Sequence, residues 1–183
     1  IPILTLNVQE SVMRFALDKK YNREAIVTIA MRYMMISCGI IITGLFVNSF
    51  LGISSIGKKY AVYFFLMFFS QALSCIVPAY IRGIDKIADL SVSSVIASAV
   101  TIGCNILFLV VFRWGLIGYF LANIIGPLIQ CIYLMFRAKM FQYTHLSMRY
   151  ISETKEMLDY SKPMIANSIA WWVNNASDRY VVI

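Results

Sequence analysis

The sequence predicts an all-α polytopic membrane protein, and three observations carry that prediction. Of its 183 residues, 60% are hydrophobic and only 14% charged, at a mean hydropathy of +0.75; soluble domains hold about 45–50% apolar and about 25% charged residues. Four segments stay apolar for the roughly 20 residues that a helix needs to cross a bilayer: Ala25 to Leu51, Tyr60 to Tyr80, Leu90 to Phe112 and Trp114 to Phe136. Finally, Lys and Arg are distributed very unevenly between the breaks. A soluble enzyme of this hydropathy would need a larger core than the length can enclose. Low hydrophobicity defines disordered chains, which excludes that class. Four cysteines scattered through apolar runs exclude a disulfide scaffold, and no run alternates with period two as a barrel strand does.

Taken in order, the opening stretch Ile1 to Leu17 is apolar and then charged, as the closing turns of a spanning helix would be. Short breaks follow at 18–24, Ser54 to Lys59, 82–89 and around Arg113, and such brevity makes consecutive spans antiparallel neighbours. The connection Arg137 to Lys162 is long and polar. It holds the one histidine, His145, and predicts a helix near Ser152 to Tyr160, with Ser152 as N-cap. Pro163 then suits the first turn of a fifth span, which runs to Ile183 and carries Asn174, Asn175, Asp178 and Arg179. Starting at Ile1 without an initiator Met and stopping inside an apolar run, the sequence reads as an internal piece of a longer protein.

Charge sets the orientation. Loops 18–24, 82–89 and 137–162 hold ten Lys and Arg, and Arg14 and Arg32 lie near the same face, making twelve; the opposite side has Lys58, Lys59 and Arg113. Twelve against three places those three loops in the cytoplasm. The net charge of +7 is therefore topology and requires no nucleic-acid partner.

Candidate chemistry is sparse. Cys38, Cys75, Cys104 and Cys131 sit singly in different spans and read as small packing residues. His145 has no Asp or Glu within four residues, so neither a metal site nor a catalytic dyad forms around it, and no cofactor motif such as GxxxxGK[ST] occurs. Ionisable groups in spans carry more information, because insertion costs about 2.5–3.5 kcal/mol at the bilayer centre. Arg14 and Arg32 can snorkel to headgroups or line a cavity; Asp178 and Arg179, with Asn174 and Asn175, suggest a wet face about 22 Å along their helix. Gly126-Pro127 predicts a kink in mid-span. Small residues from Ser91 to Gly103 suit close helix packing. Tyr and Trp near the predicted boundaries read as aromatic belts, with Trp171-Trp172 deeper than a belt position.

Several of these segments together resemble the Wzx-type polysaccharide flippases (O-antigen and capsule transporters) of the MATE-like MOP superfamily. Glu10-Ser11-Val12-Met13-Arg14-Phe15-Ala16-Leu17 is similar to the end of that family's second span, and Tyr80-Ile81-Arg82-Gly83 to the close of its fourth. Gly115-Leu116-Ile117-Gly118-Tyr119 resembles the opening of the sixth. Leu158 to Pro163, with Ala170 to Asn175 and Asp178-Arg179, resembles the seventh. The resemblance implies a MATE-like helix bundle covered from the late second to the seventh transmembrane helix: residues 1–136 in an N-terminal lobe, 137–162 as the cytoplasmic inter-lobe connection, and 163–183 opening the C-terminal lobe. It implies a non-enzymatic transporter in the bacterial plasma (inner) membrane. By alternating access it would flip undecaprenyl-pyrophosphate-linked oligosaccharides, with a polysaccharide polymerase and a chain-length regulator as further partners beside membrane lipids. Arg14, Arg32 and Arg179 are its candidate anion contacts. A drug or small-cation exporter of the same fold, a membrane glycan polymerase or transferase, and a non-catalytic scaffold are the alternatives.

Overall fold

Asn22 opens the longest apolar run by capping it: its side-chain oxygen accepts the Glu24 N–H at 3.0 Å, satisfying a donor that has no partner within the helix. The computed structural model describes residues 4–18, 20–52, 60–143 and 150–181, with the backbone alone at 172, 175, 176 and 178–181. Six α-helices follow one another among the described residues: α1 (Val8–Leu17), α2 (Arg23–Leu51), α3 (Ala61–Gly83), α4 (Ile87–Asn105, continued by a wider π-helical turn, Ile106–Val111), α5 (Leu116–Arg137) and α6 (Ile151–Val181). A short 3-10 turn, Met140–Tyr143, follows α5. No strand occurs among the described residues.

Among the described residues four helices are long and apolar enough to cross a membrane: α2, α3, α4 with its π turn, and α5. They coincide with the four segments expected from composition, within a few residues at each end. The α4 segment is the most apolar, with mean hydropathy 2.3, yet only 6% of it is buried within the protein. Its exposed face includes Val95, Ile102, Val110 and Val111, each at least 60% accessible. Each such side chain costs about 1.5–3 kcal/mol in water relative to an apolar medium, so hydrocarbon is the solvent that suits this surface.

The core gathers at one end. Helix α2 is buried from Ala25 to Met31 and again at Met34, Ser37 and Cys38, then turns largely exposed beyond Gly39. Around that buried half pack Val8, Val12 and Phe15 of α1, Ile76, Val77, Tyr80 and Ile81 of α3, and Leu134, Met140 and Met157. Helix α1 lies against α3, α6 and α2, while α5 packs between α3 and α4. Inside the bundle Ser70 Oγ donates to the Ile124 carbonyl at 3.0 Å, and Gln130 Nε2 donates to Ser94 Oγ at 2.9 Å. At the basic end Arg137 binds Asp89 Oδ1 (2.9 Å from Nη2), and Lys86 Nζ donates to the Arg137 carbonyl at 3.1 Å.

Glycines mark the close approaches. Gly126 faces Thr101 and Ala97 of α4 so tightly that a Cβ there would lie 1.8 Å from Thr101 Oγ1, which is what the small residues of α4 are for. Gly118 meets Phe108 of the π turn and Gly83 meets α1 at Ala16 and Met13. Gly115, at φ 56 and ψ −129, occupies a region of the backbone map open almost only to glycine. The turn at Arg113 is closed by Trp114 N–H to the Phe108 carbonyl at 2.9 Å.

Three expectations differ from the structure. The connecting helix and the fifth segment are one helix, α6, with Pro163 inside it at its thirteenth residue rather than in a first turn. Ser152 is the second residue of that helix and donates to Glu153 Oε2 at 2.7 Å, so it caps nothing. A Pro in mid-helix lacks the N–H owed to residue i−4; here that carbonyl belongs to Asp159, on the exposed face. The break 82–89 contracts to residues 84–86 between α3 and α4, because Asp85 takes a left-handed conformation (φ 59) that reverses the chain at once. The segment Ser54 to Lys59 and His145 lie outside the described residues.

Candidate functional site

Helices α1 and α6 meet along a polar seam in an otherwise apolar bundle. Asn7, only 3% exposed, donates through Nδ2 to the Met164 carbonyl (3.2 Å) and to Ser168 Oγ (3.1 Å). Ser11 Oγ donates to the Met157 carbonyl at 2.7 Å and forms a second hydrogen bond with Ser161 Oγ. Beyond the end of α1, Tyr21 Oη donates to Glu156 Oε2 at 2.7 Å. That carboxylate, with desolvation second, holds the phenol above its ordinary range. Positions 157, 161, 164 and 168 of α6 are spaced alternately four and three apart, so one stripe of the helix supplies the seam. Its pairing order, 7 with 164 and 168 but 11 with 157 and 161, makes α1 and α6 antiparallel.

Where the seam reaches the basic end it opens into a cavity of about 200 Å³ lined by Arg14, Phe15, Asp18, Tyr21 and Tyr160. The Arg14 guanidinium lies 4.4 Å from the centre of the Tyr160 ring, a cation–π contact worth about 0.5–1 kcal/mol at an exposed site. Phe15 braces both aromatic neighbours, at 4.6 Å from Tyr21 and 6.3 Å from Tyr160. The Arg14 N–H groups, which can bind an anion in bidentate fashion, make no hydrogen bond or ion pair with any described residue.

Arg32 lines a different cavity, of about 250 Å³, with Tyr150, Ile151 and Thr154. The structure therefore does not bring Arg14 and Arg32 into one site; α6 is the wall they share, through Tyr160 for one and Tyr150 to Thr154 for the other. Asn174 is exposed on the outer part of α6, beside exposed Trp171 and Val173. The side chains of Asn175, Asp178 and Arg179 lie outside the described residues. All four cysteines are free, with Cys38 and Cys131 buried and the others half-buried. No group of three or more His, Cys, Asp or Glu able to hold a metal ion occurs among the described residues.

A third cavity, about 200 Å³, escaped the sequence reading. It lies between α1 and α3 and is lined by Gln9, Glu10, Met13, Ser74, Cys75, Ala79 and Arg82. The signal for it was the adjacent polar pair Gln9-Glu10, in the first turn of α1; only the pairing of helices shows that both reach the same space.

Compared with protein-family models, with curated proteins and with solved structures, the chain gives no match.

Proposed function

We propose that this chain is part of a transporter that carries a lipid-linked, anionic oligosaccharide across the bacterial plasma membrane, the function implied by its resemblance to the MATE-like polysaccharide flippases. The observation that carries the reading is Arg14 in the α1–α6 cavity. A guanidinium held over the Tyr160 ring, with no ion pair to any described residue, is suited to a pyrophosphate or a sugar acid. Its place between two helices supports the same reading, since helix-bundle transporters keep their substrate sites at the interfaces of repeated units. Within this proposal residues 1–136 belong to the N-terminal lobe, 137–162 form the cytoplasmic connection and 163–183 open the C-terminal lobe.

Deletion of the gene in its own host tests the proposal. Sealed spheroplasts should then hold complete, unpolymerised lipid-linked units in the inner leaflet. Short units still reaching the outer face would favour a polymerase or modifying enzyme. An untouched glycan pathway would move the second reading to the front. That reading, a small-cation exporter of the same fold, draws on Glu10, a carboxylate in an α1–α3 cavity where an organic cation would find its counter-charge.

A further inference from the structure

We infer that the closing end of α5 binds an anionic phospholipid of the cytoplasmic leaflet, with its phosphate held by Lys86 and Lys139 and an acyl chain laid along Phe136, Ile132 and Ile129. The apolar part comes first. Ile129, Ile132 and Phe136 are spaced three and four apart, so they share one face of α5, and each is at least 36% exposed. They cover about 10 Å at 1.5 Å per residue, against about 15 Å for half the hydrocarbon of a bilayer. Past the helix, Lys139 takes a left-handed conformation (φ 53) and leads into the 3-10 turn Met140–Tyr143. Met140 is buried in the core and pins that turn. Its neighbour Phe141 stays exposed, with its ring 5.6 Å from that of Phe136. The two phenylalanines carry the apolar strip up to the basic residues, so one surface is apolar along its length and cationic at its end.

Charge selects the lipid. Lys86 Nζ donates to the Arg137 carbonyl at 3.1 Å, which brings this lysine from the α3–α4 turn to the end of α5, two residues from Lys139. The exposed Lys139 side chain makes no hydrogen bond or ion pair with any described residue. Of the carboxylates nearby, Asp89 is taken by Arg137 at 2.9 Å, and Asp85 is exposed and pairs with neither lysine. Lys86 therefore keeps two N–H donors and Lys139 all three. Basic pockets at the cytoplasmic ends of spanning helices suit anionic headgroups, and each lysine there strengthens binding about fivefold. A headgroup with its own amine already carries a cation and gains less. Free phosphate would meet the lysines but leave the apolar strip uncovered. The inference rests on this end facing the cytoplasmic leaflet, as the distribution of Lys and Arg requires, and not on any transport activity.

The test is equilibrium binding of radiolabelled phosphatidylglycerol to the purified full-length protein in a non-ionic detergent. The wild type should bind saturably, with unlabelled phosphatidylglycerol competing far better than phosphatidylcholine. Lys86→Gln combined with Lys139→Gln should weaken phosphatidylglycerol about twenty-five-fold, about fivefold for each lysine, and remove the preference. Lys86→Arg with Lys139→Arg should retain it. The charge-matched pair Lys20→Gln with Lys155→Gln, on the same side of the membrane but away from α5, should leave binding unchanged. Phe141→Ser should weaken both lipids alike. All these side chains are exposed, so the variants should fold. Equal affinity for the two lipids, no effect of Lys86→Gln with Lys139→Gln, or an equal loss in the Lys20 and Lys155 pair would each overturn the inference. Displacement by undecaprenyl pyrophosphate at a lower concentration than by phosphatidylglycerol would assign the surface to a carried lipid and overturn it too. No glycan export enters this measurement, so its failure and a failure of the flippase reading are separately visible.

Discussion

Gly83, the last residue of α3, shows how closely α1 is seated. A Cβ added there would lie 2.4 Å from Ala16 Cβ, 2.7 Å from the Met13 carbonyl oxygen and 3.3 Å from Ala16 Cα. Carbon atoms attract best at about 3.5–4.0 Å, so Gly83→Ala forces α1 and α3 apart by about 1 Å. None of the three atoms belongs to the flexible end of a side chain, so no rotamer change relieves the clash. Retreat of α1 loosens Val8, Val12 and Phe15, all at most 8% exposed. Overpacking costs about 1–3 kcal/mol, and rigid neighbours place this case at the upper limit, about 3 kcal/mol. At 2–4 °C per kcal/mol for a chain of this size, the midpoint of thermal unfolding should fall by about 6–12 °C. Fluorescence-detected size-exclusion chromatography of heated, detergent-solubilised full-length protein measures it. Ala16→Gly in the same chain removes the 2.4 Å contact and should restore part of the loss, less than all because the Met13 carbonyl stays. A Gly83→Ala protein with the wild-type midpoint, or one that Ala16→Gly fails to improve, would refute the close α1–α3 contact.

Four further outcomes follow from the same geometry. Ser11→Ala removes one partner of the buried α1–α6 seam and should destabilise by about 0.5–1.5 kcal/mol; in a double-mutant cycle with Ser161→Ala the two losses should be less than additive, whereas full additivity would mean that the hydroxyls do not meet. Gly115→Ala meets no atom within 4 Å, so its cost, about 1–3 kcal/mol, is one of backbone strain alone, and an unaltered midpoint would contradict the φ of 56. The raised Tyr21 phenol gives stability that is complete below its ordinary value of 10.0 and is lost as pH climbs through the higher folded-state value. Tyr21→Phe should therefore flatten the alkaline limb of a stability–pH curve; an alkaline limb of unchanged slope would show that the phenol is not coupled to Glu156. Arg14→Gln should impair glycan export in the intact protein with membrane insertion normal, and wild-type export would remove Arg14 from the proposed path.

Helices long and apolar enough to span a membrane were legible in the sequence because their cause is local: some twenty consecutive apolar residues suffice, whatever lies beside them. The same holds for the turn at Arg113 and the small residues of α4, each set by near neighbours in the chain. Fusion of Ser152–Tyr160 with the segment after Pro163 was not legible, since a mid-helix proline is tolerated when its freed carbonyl finds another partner, and that depends on what surrounds it. Motifs read as marks of a family also have packing reasons visible only in three dimensions: Gly83 lies on Ala16, Gly118 on Phe108. The candidate site divided in the same way. Arg14 and Arg32 stood out in sequence as charges in apolar runs, yet pairing of α6 with α1 decided that they occupy separate cavities. Glu10 looked like one letter of a motif until α3 brought Ser74 and Arg82 to the other side of its cavity. Residue type and spacing determine which segments bury themselves in lipid; which polar atoms are left facing one another depends on contacts more than a hundred residues apart in the chain, and those only the folded bundle could decide.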